Sequence, residues 1–180
     1  MEKIFIILLL VAVIATASYS IYYGQKENPL AVVSYVDPVK YSGLWYSVYE
    51  IPTYYGIPPF GYDSTECMNS TAFYTANEDG SMAVKNRCIY DNEEKIVTGI
   101  ATFDNENQDG NLHVSFFIIN SPYKIIYLNN YKYAVVGTPD KESLWFLSRE
   151  PNIPDNILTE MLSESDDAGF DTDLLVKVDR

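Results

Sequence analysis

Gly43-Leu44-Trp45-Tyr46 opens the first strand-like run of the chain, after a proline-spaced approach through Asp37-Pro38-Val39-Lys40. Far downstream, Leu144-Trp145-Phe146-Leu147-Ser148-Arg149 closes the last strand-like run before a helical pattern begins. A Gly-x-Trp triplet alone is weak, because most such triplets arise by chance. Its weight comes from its position and from what lies between it and Arg149.

What lies between is a series of short apolar runs with turn residues separating them. The pattern predicts strands over 44–51, 70–76, 81–90, 95–103, 112–119, 123–128, 132–137 and 144–149, with a last short strand over 173–178. Leu112, Val114 and Phe116 share one face by the two-residue pleat, and Lys124 marks a wet face beside Tyr123 and Ile125. Asn77 to Gly80, Asn105 to Gly110 and Asn129-Asn130 carry hairpin turn chemistry. Eight strands in succession with tight turns suggest a meander, which can close into an all-β up-and-down barrel and so lose its edges. The one long loop, 51–68, holds Pro52, Gly56, Pro58, Pro59 and Gly61, and loops of that length are commonly functional or mobile.

A helix breaks the pattern near the end. Pro154 suits an early helix position and Asp155 its positive N-terminal end. Ile157, Leu158, Met161, Leu162 and Ser165 form an apolar stripe, with Gly169 placed to stop the helix. Such a helix buries its stripe on the outside of the sheet.

This arrangement resembles the lipocalin family: an eight-stranded antiparallel calyx opened by Gly-x-Trp, with one C-terminal α-helix packed outside. The resemblance covers 36–178, and it is closest to the branch of bacterial outer-membrane lipocalins and apolipoprotein D. It rests on Asp37 to Tyr46, on Leu112 to Phe117, on Leu144 to Pro151 with its terminal Arg149, and on Glu160-Met161-Leu162 with Gly169-Phe170-Asp171. The family's Thr-Asp-x-x-x-Tyr motif is only partly kept, since Leu128-Asn129-Asn130-Tyr131-Lys132-Tyr133 puts Asn in place of the acid. The resemblance implies that Gly43, Trp45 and Arg149 form a structural motif. In it, an indole closes the barrel floor under a planar guanidinium, a cation–π contact of about 0.5–2 kcal/mol.

With Trp45 inside, pleat parity puts Ser47, Tyr49 and Ile51 inside as well. Lys85 and Arg87 outside put Met82, Val84 and Asn86 inside, and Lys124 outside puts Tyr123, Ile125 and Tyr127 inside. The expected ligand-binding set is Tyr49, Tyr74, Met82, Val84, Asn86, Val114, Phe116, Ile125, Tyr127 and Trp145. Such a lining suits a small hydrophobic, lipid-like ligand that keeps a polar end. The family implies a fatty acid, a lysophospholipid or a similar amphiphile, carried without chemistry, with a role in membrane-lipid maintenance or stress. The alternative is an interaction protein with a filled barrel that uses its rim and acidic surface. A third reading is a Cys-dependent lipid-modifying enzyme.

Cys67 and Cys88 are the only cysteines. A hairpin turning near 77–80 brings them to within a residue of pairing, and an exported chain favours the disulfide. Asn69-Ser70-Thr71 is an N-glycosylation acceptor on the expected outer face, whereas Asn120-Ser121-Pro122 is blocked by proline. His113 is the single histidine and reads as a solvent-facing strand residue. No Cys/His cluster, phosphate-binding glycine loop, nucleophile elbow or His–acid pair is evident, so neither metal nor cofactor is expected.

At the N-terminus, Glu2-Lys3 precedes an apolar run from Ile4 to Ala15, then Ala15-Thr16-Ala17. This predicts a secretory signal peptide over 1–17, an N-terminal tail over 18–35 and one domain over 36–180. The alternative is an uncleaved membrane anchor over 4–23, which would hold the protein at a membrane. With cleavage, the protein is secreted or exported, to a periplasm, the extracellular space or a secretory pathway. No cysteine adjoins the cleavage site, so lipid attachment there is excluded. A chain of 180 residues with a net charge of −13 is long enough for one domain with a real core. That charge also repels phosphate backbones, which argues against nucleic acid as a partner.

Overall fold

A computed structural model describes residues 29–55, 62–117 and 119–180, with 54–55 and 62–63 as backbone only. The chain divides into two units, Met1–Leu30 and Ala31–Arg180, and the account below concerns the second. The expected leader, its anchor alternative and most of the expected tail lie outside the described residues.

The strands are β1 (Gly43–Glu50), β2 (Tyr54–Tyr55), β3 (Tyr62–Asp63), β4 (Met68–Ala76), β5 (Met82–Tyr90), β6 (Glu93–Phe103), β7 (Asn111–Phe116), β8 (Ile119–Asn129), β9 (Tyr133–Gly137), β10 (Leu144–Ser148) and β11 (Val176–Lys177). The helices are α1 (Pro38–Tyr41) and α2 (Asp155–Asp167). β4 to β10 pair in sequence order, β1 pairs with both β4 and β10, and every pairing is antiparallel. The sheet therefore closes into an eight-stranded barrel with no free edge. β2 and β3 form a small hairpin within the long loop. β11 joins β1 at Tyr49 and Glu50, beyond the end of the ladder with β4.

The strand from 119 begins earlier than the sequence suggests. β8 runs straight through Pro122, which pairs with His113. Pairing of β8 with β9 starts only at Lys124, so Pro122 sits where the strand has a partner on one side alone. Its missing N–H breaks no ladder there.

The barrel closes at the end where β1 starts. Asp37 caps α1, accepting from the Val39 and Lys40 amides at 2.9 and 3.2 Å, with Pro38 pre-set for the first helical position. This short turn delivers Tyr41 into the core and presents its carbonyl to the Trp45 indole N–H at 2.8 Å. Trp45 is fully buried among Val36, Tyr41, Met82, Leu112 and Ile125. Burying a side chain of this size contributes about 2–3 kcal/mol. The Arg149 guanidinium lies 3.8 Å from the Trp45 ring centroid. Gly43 takes φ +100, and a Cβ there would stand 3.3 Å from Arg149 Nη1. Glycine therefore supplies both the backbone turn and the room for the guanidinium.

The segment before α1 adds three backbone bonds to this end. The Val33 amide donates to Ile125 O, Gly110 N–H to Val33 O, and Val36 N–H to Gln108 O, at 2.7 to 2.9 Å.

α2 packs on the outer face of β8 and β9. Met161 and Ser165 are buried, and Ile157, Leu158 and Leu162 are partly so, which matches the predicted stripe. Gly169 at φ +84 ends the helix: its N–H donates to Asp166 O and that of Phe170 to Ser165 O. This double bond pattern satisfies carbonyls the last turn would leave open. Phe170 is thereby turned onto β9, its ring edge directly over Gly137.

Candidate functional site

Above the plugged floor the barrel holds a cavity of about 690 Å³. Its middle wall is apolar, with Ala72, Val84, Val114, Val136 and Leu147 drawn from five different strands. Trp145 and Phe116 are the large aromatic surfaces. Tyr74 and Tyr123 lie at the deep end, where their hydroxyls meet at 2.9 Å. Toward the mouth the lining turns polar, with Thr53, Ser64, Thr138 and Ser143. Thr53 Oγ1 and Ser143 Oγ lie 3.2 Å apart, and the Thr53 amide donates to Ser64 Oγ at 2.9 Å. Arg87, Glu94 and Lys95 line the same lip, and Arg87 is paired with Glu94.

Of the residues expected around the ligand, Tyr74, Val84, Asn86, Val114, Phe116 and Trp145 line the cavity. Asn86 Oδ1 is buried and lacks a hydrogen-bond partner among the described residues. The other four lie elsewhere, for two distinct reasons.

Tyr49 and Tyr127 are turned outward by β-bulges. The β1–β10 register shifts between Ser47 and Tyr49, and the β8–β9 register between Ile125 and Tyr127. An extra residue in a strand reverses the faces beyond it. Tyr49 therefore packs edge-on against Phe146, with ring centroids 6.2 Å apart. Tyr127 instead donates to Glu160 Oε2 of α2 at 2.8 Å. The inward place expected of Tyr49 goes to Glu50, which is 4% exposed, lines the cavity and accepts from Ser47 Oγ at 3.4 Å. Ile51 is buried but does not line the cavity.

Met82 and Ile125 do point inward, but into the floor. Both are fully buried in the cluster around Trp45 and Leu112, below the cavity.

Cys67 and Cys88 form the disulfide, with Cα atoms 5.5 Å apart, and both line the cavity near its mouth. Cys67 immediately precedes β4, so the bridge ties the end of the long loop to β5. Asn69 has φ +55 and its amide donates to Asp179 O at 2.7 Å. It sits at the register shift between Met68 and Thr71 rather than in a regular pleat.

Lys124 faces away from the cavity, yet it is only 8% exposed. Its Nζ lies 2.7 Å from Asp104 Oδ2, and Asp104 Oδ1 contacts His113 Nδ1. A His–acid pair thus exists that the sequence did not suggest. Thr102 pairs with His113 in the β6–β7 ladder, and Asp104 continues from the end of β6. Burial acts to raise the Asp104 pKa, but the hydrogen bonds from Lys124 and His113 outweigh it and hold the carboxyl below its ordinary range. This cluster is on the outer surface and does not reach the cavity. Among the described residues, no group of three or more His, Cys, Asp or Glu side chains converges as a metal site would need.

A closed antiparallel barrel, plugged by an Arg-capped Trp at one end and hollow above it, defines a receptor for small apolar molecules. The sequence comparisons agree. A family model described as a lipocalin-like domain matches 36–180, and the chain belongs to the lipocalin family. It is 40% identical over 113 residues to the outer membrane lipoprotein Blc of Vibrio cholerae, a match spanning 60% of this chain and 66% of that one. It is 30% identical over 176 residues to the protein of the same name from Escherichia coli K12, spanning 91% and 92% of the two chains. Mouse apolipoprotein D is 25% identical over 167 residues, spanning 87% of this chain and 83% of that one. Among solved structures, insecticyanin from the tobacco hornworm Manduca sexta superposes with a TM-score of 0.66 at 14% identity, covering 85% of each chain. At that identity the likeness shows the fold alone. Lipocalins are generally carriers that bind small hydrophobic ligands rather than enzymes.

Proposed function

We propose that this protein is an exported lipocalin that binds and carries a fatty acid, a lysophospholipid or another single-chain lipid amphiphile inside its barrel. The observation that carries this reading is the cavity of about 690 Å³ with an apolar middle and polar residues toward its mouth. A volume of this size falls in the range of small-molecule sites, roughly 300–1,000 Å³. The relative named apolipoprotein D supports a lipid-related ligand. A role in membrane-lipid maintenance or stress is part of the same proposal.

The hollow barrel favours a carrier over an interaction protein built around a filled core. A thiol-based reaction has no free thiol to use, because both cysteines are in the disulfide. Export by cleavage after Ala17, with 36–180 as the functional domain, belongs to the same proposal. So does glycosylation of Asn69 in a host that secretes through an endoplasmic reticulum.

The test is a titration of the delipidated exported protein with palmitic acid and with a C16 lysophosphatidylcholine, following Trp fluorescence. Trp145 lines the cavity and is the expected reporter. Saturable quenching at one ligand per chain supports the carrier; no saturable response to either amphiphile removes it. N-terminal sequencing of the exported protein reads out whether it begins at Ser18.

A further inference from the structure

Three tyrosines from separate elements meet at the deep end of the cavity. Tyr41 comes from α1, Tyr74 from β4 and Tyr123 from β8. The Tyr123 hydroxyl lies 2.8 Å from that of Tyr41 and accepts from that of Tyr74 at 2.9 Å. Three strands separate β4 from β8 in the sheet order, so the phenols bridge the barrel from wall to wall. Of the three, Tyr74 and Tyr123 face the cavity and form part of its deep end.

The protons of this cluster can be counted. Burial raises the pKa of all three phenols, that of Tyr74 to about 12, so each keeps its proton. Three protons serve two hydrogen bonds, which leaves one over. Tyr74 spends its proton on Tyr123. The spare therefore belongs to Tyr41 or to Tyr123, depending on which donates to the other.

Tyr41 is fully buried and does not line the cavity. A spare O–H there would be left unmade, at the full cost of desolvation. Tyr123 lines the cavity, where a guest can take the proton. The lower-energy arrangement has Tyr41 and Tyr74 both donating to Tyr123, whose own O–H points into the cavity. A hydroxyl that accepts two hydrogen bonds is polarised into a stronger donor.

Resting on the carrier reading above, we propose that the Tyr123 hydroxyl is the hydrogen-bond donor for an uncharged oxygen, such as an ester or acid carbonyl, at the leading end of an otherwise apolar ligand. The ligand would then enter oxygen-first, with its chain along the apolar wall toward the mouth. An uncharged acceptor is favoured because the charged residues of the lining, Glu50, Arg87, Glu94 and Lys95, all lie on strand segments near the mouth.

The experiment compares two probes on the full chain. Diphenylhexatriene is a hydrocarbon with no acceptor, and it reports the apolar cavity by its fluorescence. Methyl palmitate labelled with carbon-13 at its carbonyl reports the hydrogen bond by its infrared stretch. The expected result is a bound carbonyl band at lower wavenumber than in hexadecane. In Tyr123→Phe, affinity for methyl palmitate should fall about tenfold more than affinity for diphenylhexatriene. A wild-type band at the hexadecane position overturns the proposal, as does a folded Tyr123→Phe protein with undiminished affinity for the ester. If that variant does not fold, the wild-type band decides alone. Binding of the hydrocarbon without the ester overturns this inference and spares the carrier reading. Binding of neither probe overturns this inference, and the titrations with palmitic acid and lysophosphatidylcholine then decide the carrier reading.

Discussion

Arg149 lies over the face of Trp45 at 3.8 Å and, from that position, donates to the backbone carbonyls of Leu44, Lys40, Tyr41, Ser42 and Tyr131 at 2.7 to 3.0 Å. Its guanidinium thus gathers the turn before β1, the start of β1 and the β8–β9 turn around one indole. Burial lowers its pKa, but from so high a starting point that the charge stays at neutral pH.

Replacing Arg149 should therefore cost stability before it alters ligand choice. Arg149→Ala should lose about 2–4 kcal/mol, from hydrogen bonds of a charged donor and the ring contact. Arg149→Lys keeps the charge but not the planar fork, and should recover less than half of that loss. Urea unfolding midpoints check both; a lysine variant as stable as the wild type would contradict the multidentate role.

The Asp104 cluster gives a pH dependence with a definite sign. Its carboxyl is held below the ordinary value by Lys124 and His113. Its contribution is present above the unfolded carboxylate pKa of about 3.9 and is lost as pH falls through the lower folded value. Asp104→Asn should cost about 1–3 kcal/mol at pH 7, and the gap to wild type should close below about pH 4. Urea titrations at pH 7 and in the acid range decide it. A gap that persists unchanged in acid would mean the charge of Asp104 is not what stabilises the strand pair.

Reduction of the Cys67–Cys88 bridge should lower stability by about 3 kcal/mol, the chain-entropy value for a loop of this size, given the sequence separation of 21. The double variant Cys67→Ser, Cys88→Ser should unfold at correspondingly lower urea. Because both residues line the mouth, ligand release should also quicken. Stopped-flow fluorescence with the double variant measures that rate; equal release rates would confine the bridge to stability.

Gly137 is a steric requirement, since a Cβ there would meet the Phe170 ring at 2.4 Å. Gly137→Ala should push Phe170 off β9 and loosen the exit of α2, costing about 1–3 kcal/mol by overpacking. Thermal unfolding of Gly137→Ala beside the double variant Gly137→Ala, Phe170→Leu provides the check. Failure of the second change to restore stability would sink the steric account.

The strand order, the barrel closure and the outer helix were legible because each rests on local chemistry. Turn residues, two-residue alternation and the apolar stripe of α2 all lie within a few positions of one another. The plug was legible through Trp45 and Arg149 together. The lining was only partly so. Parity propagates faces along a strand only while the register holds, and bulges after Ser47 and Ile125 leave no mark in residue type. Parity therefore points Tyr49 and Tyr127 inward and gives no sign of Glu50. Depth was illegible for another reason. Met82 and Ile125 face inward as parity demands, but whether an inward residue meets floor or cavity depends on how the strands stagger around the barrel. Lys124 shows the same limit on the outer face. A charged residue reads as wet, and only the fold brings Asp104 and His113 to its side.

The backbone bonds from Val33 to Gly110 and Ile125 separate two boundaries that are easily taken as one. The family model begins at residue 36, whereas the compact unit begins at Ala31. A protein trimmed to start at residue 36 would keep every family motif. It would also strip Ile125 O and the Gly110 amide of their partners beside the plug. A span drawn from the family motifs alone is here shorter than the compact unit.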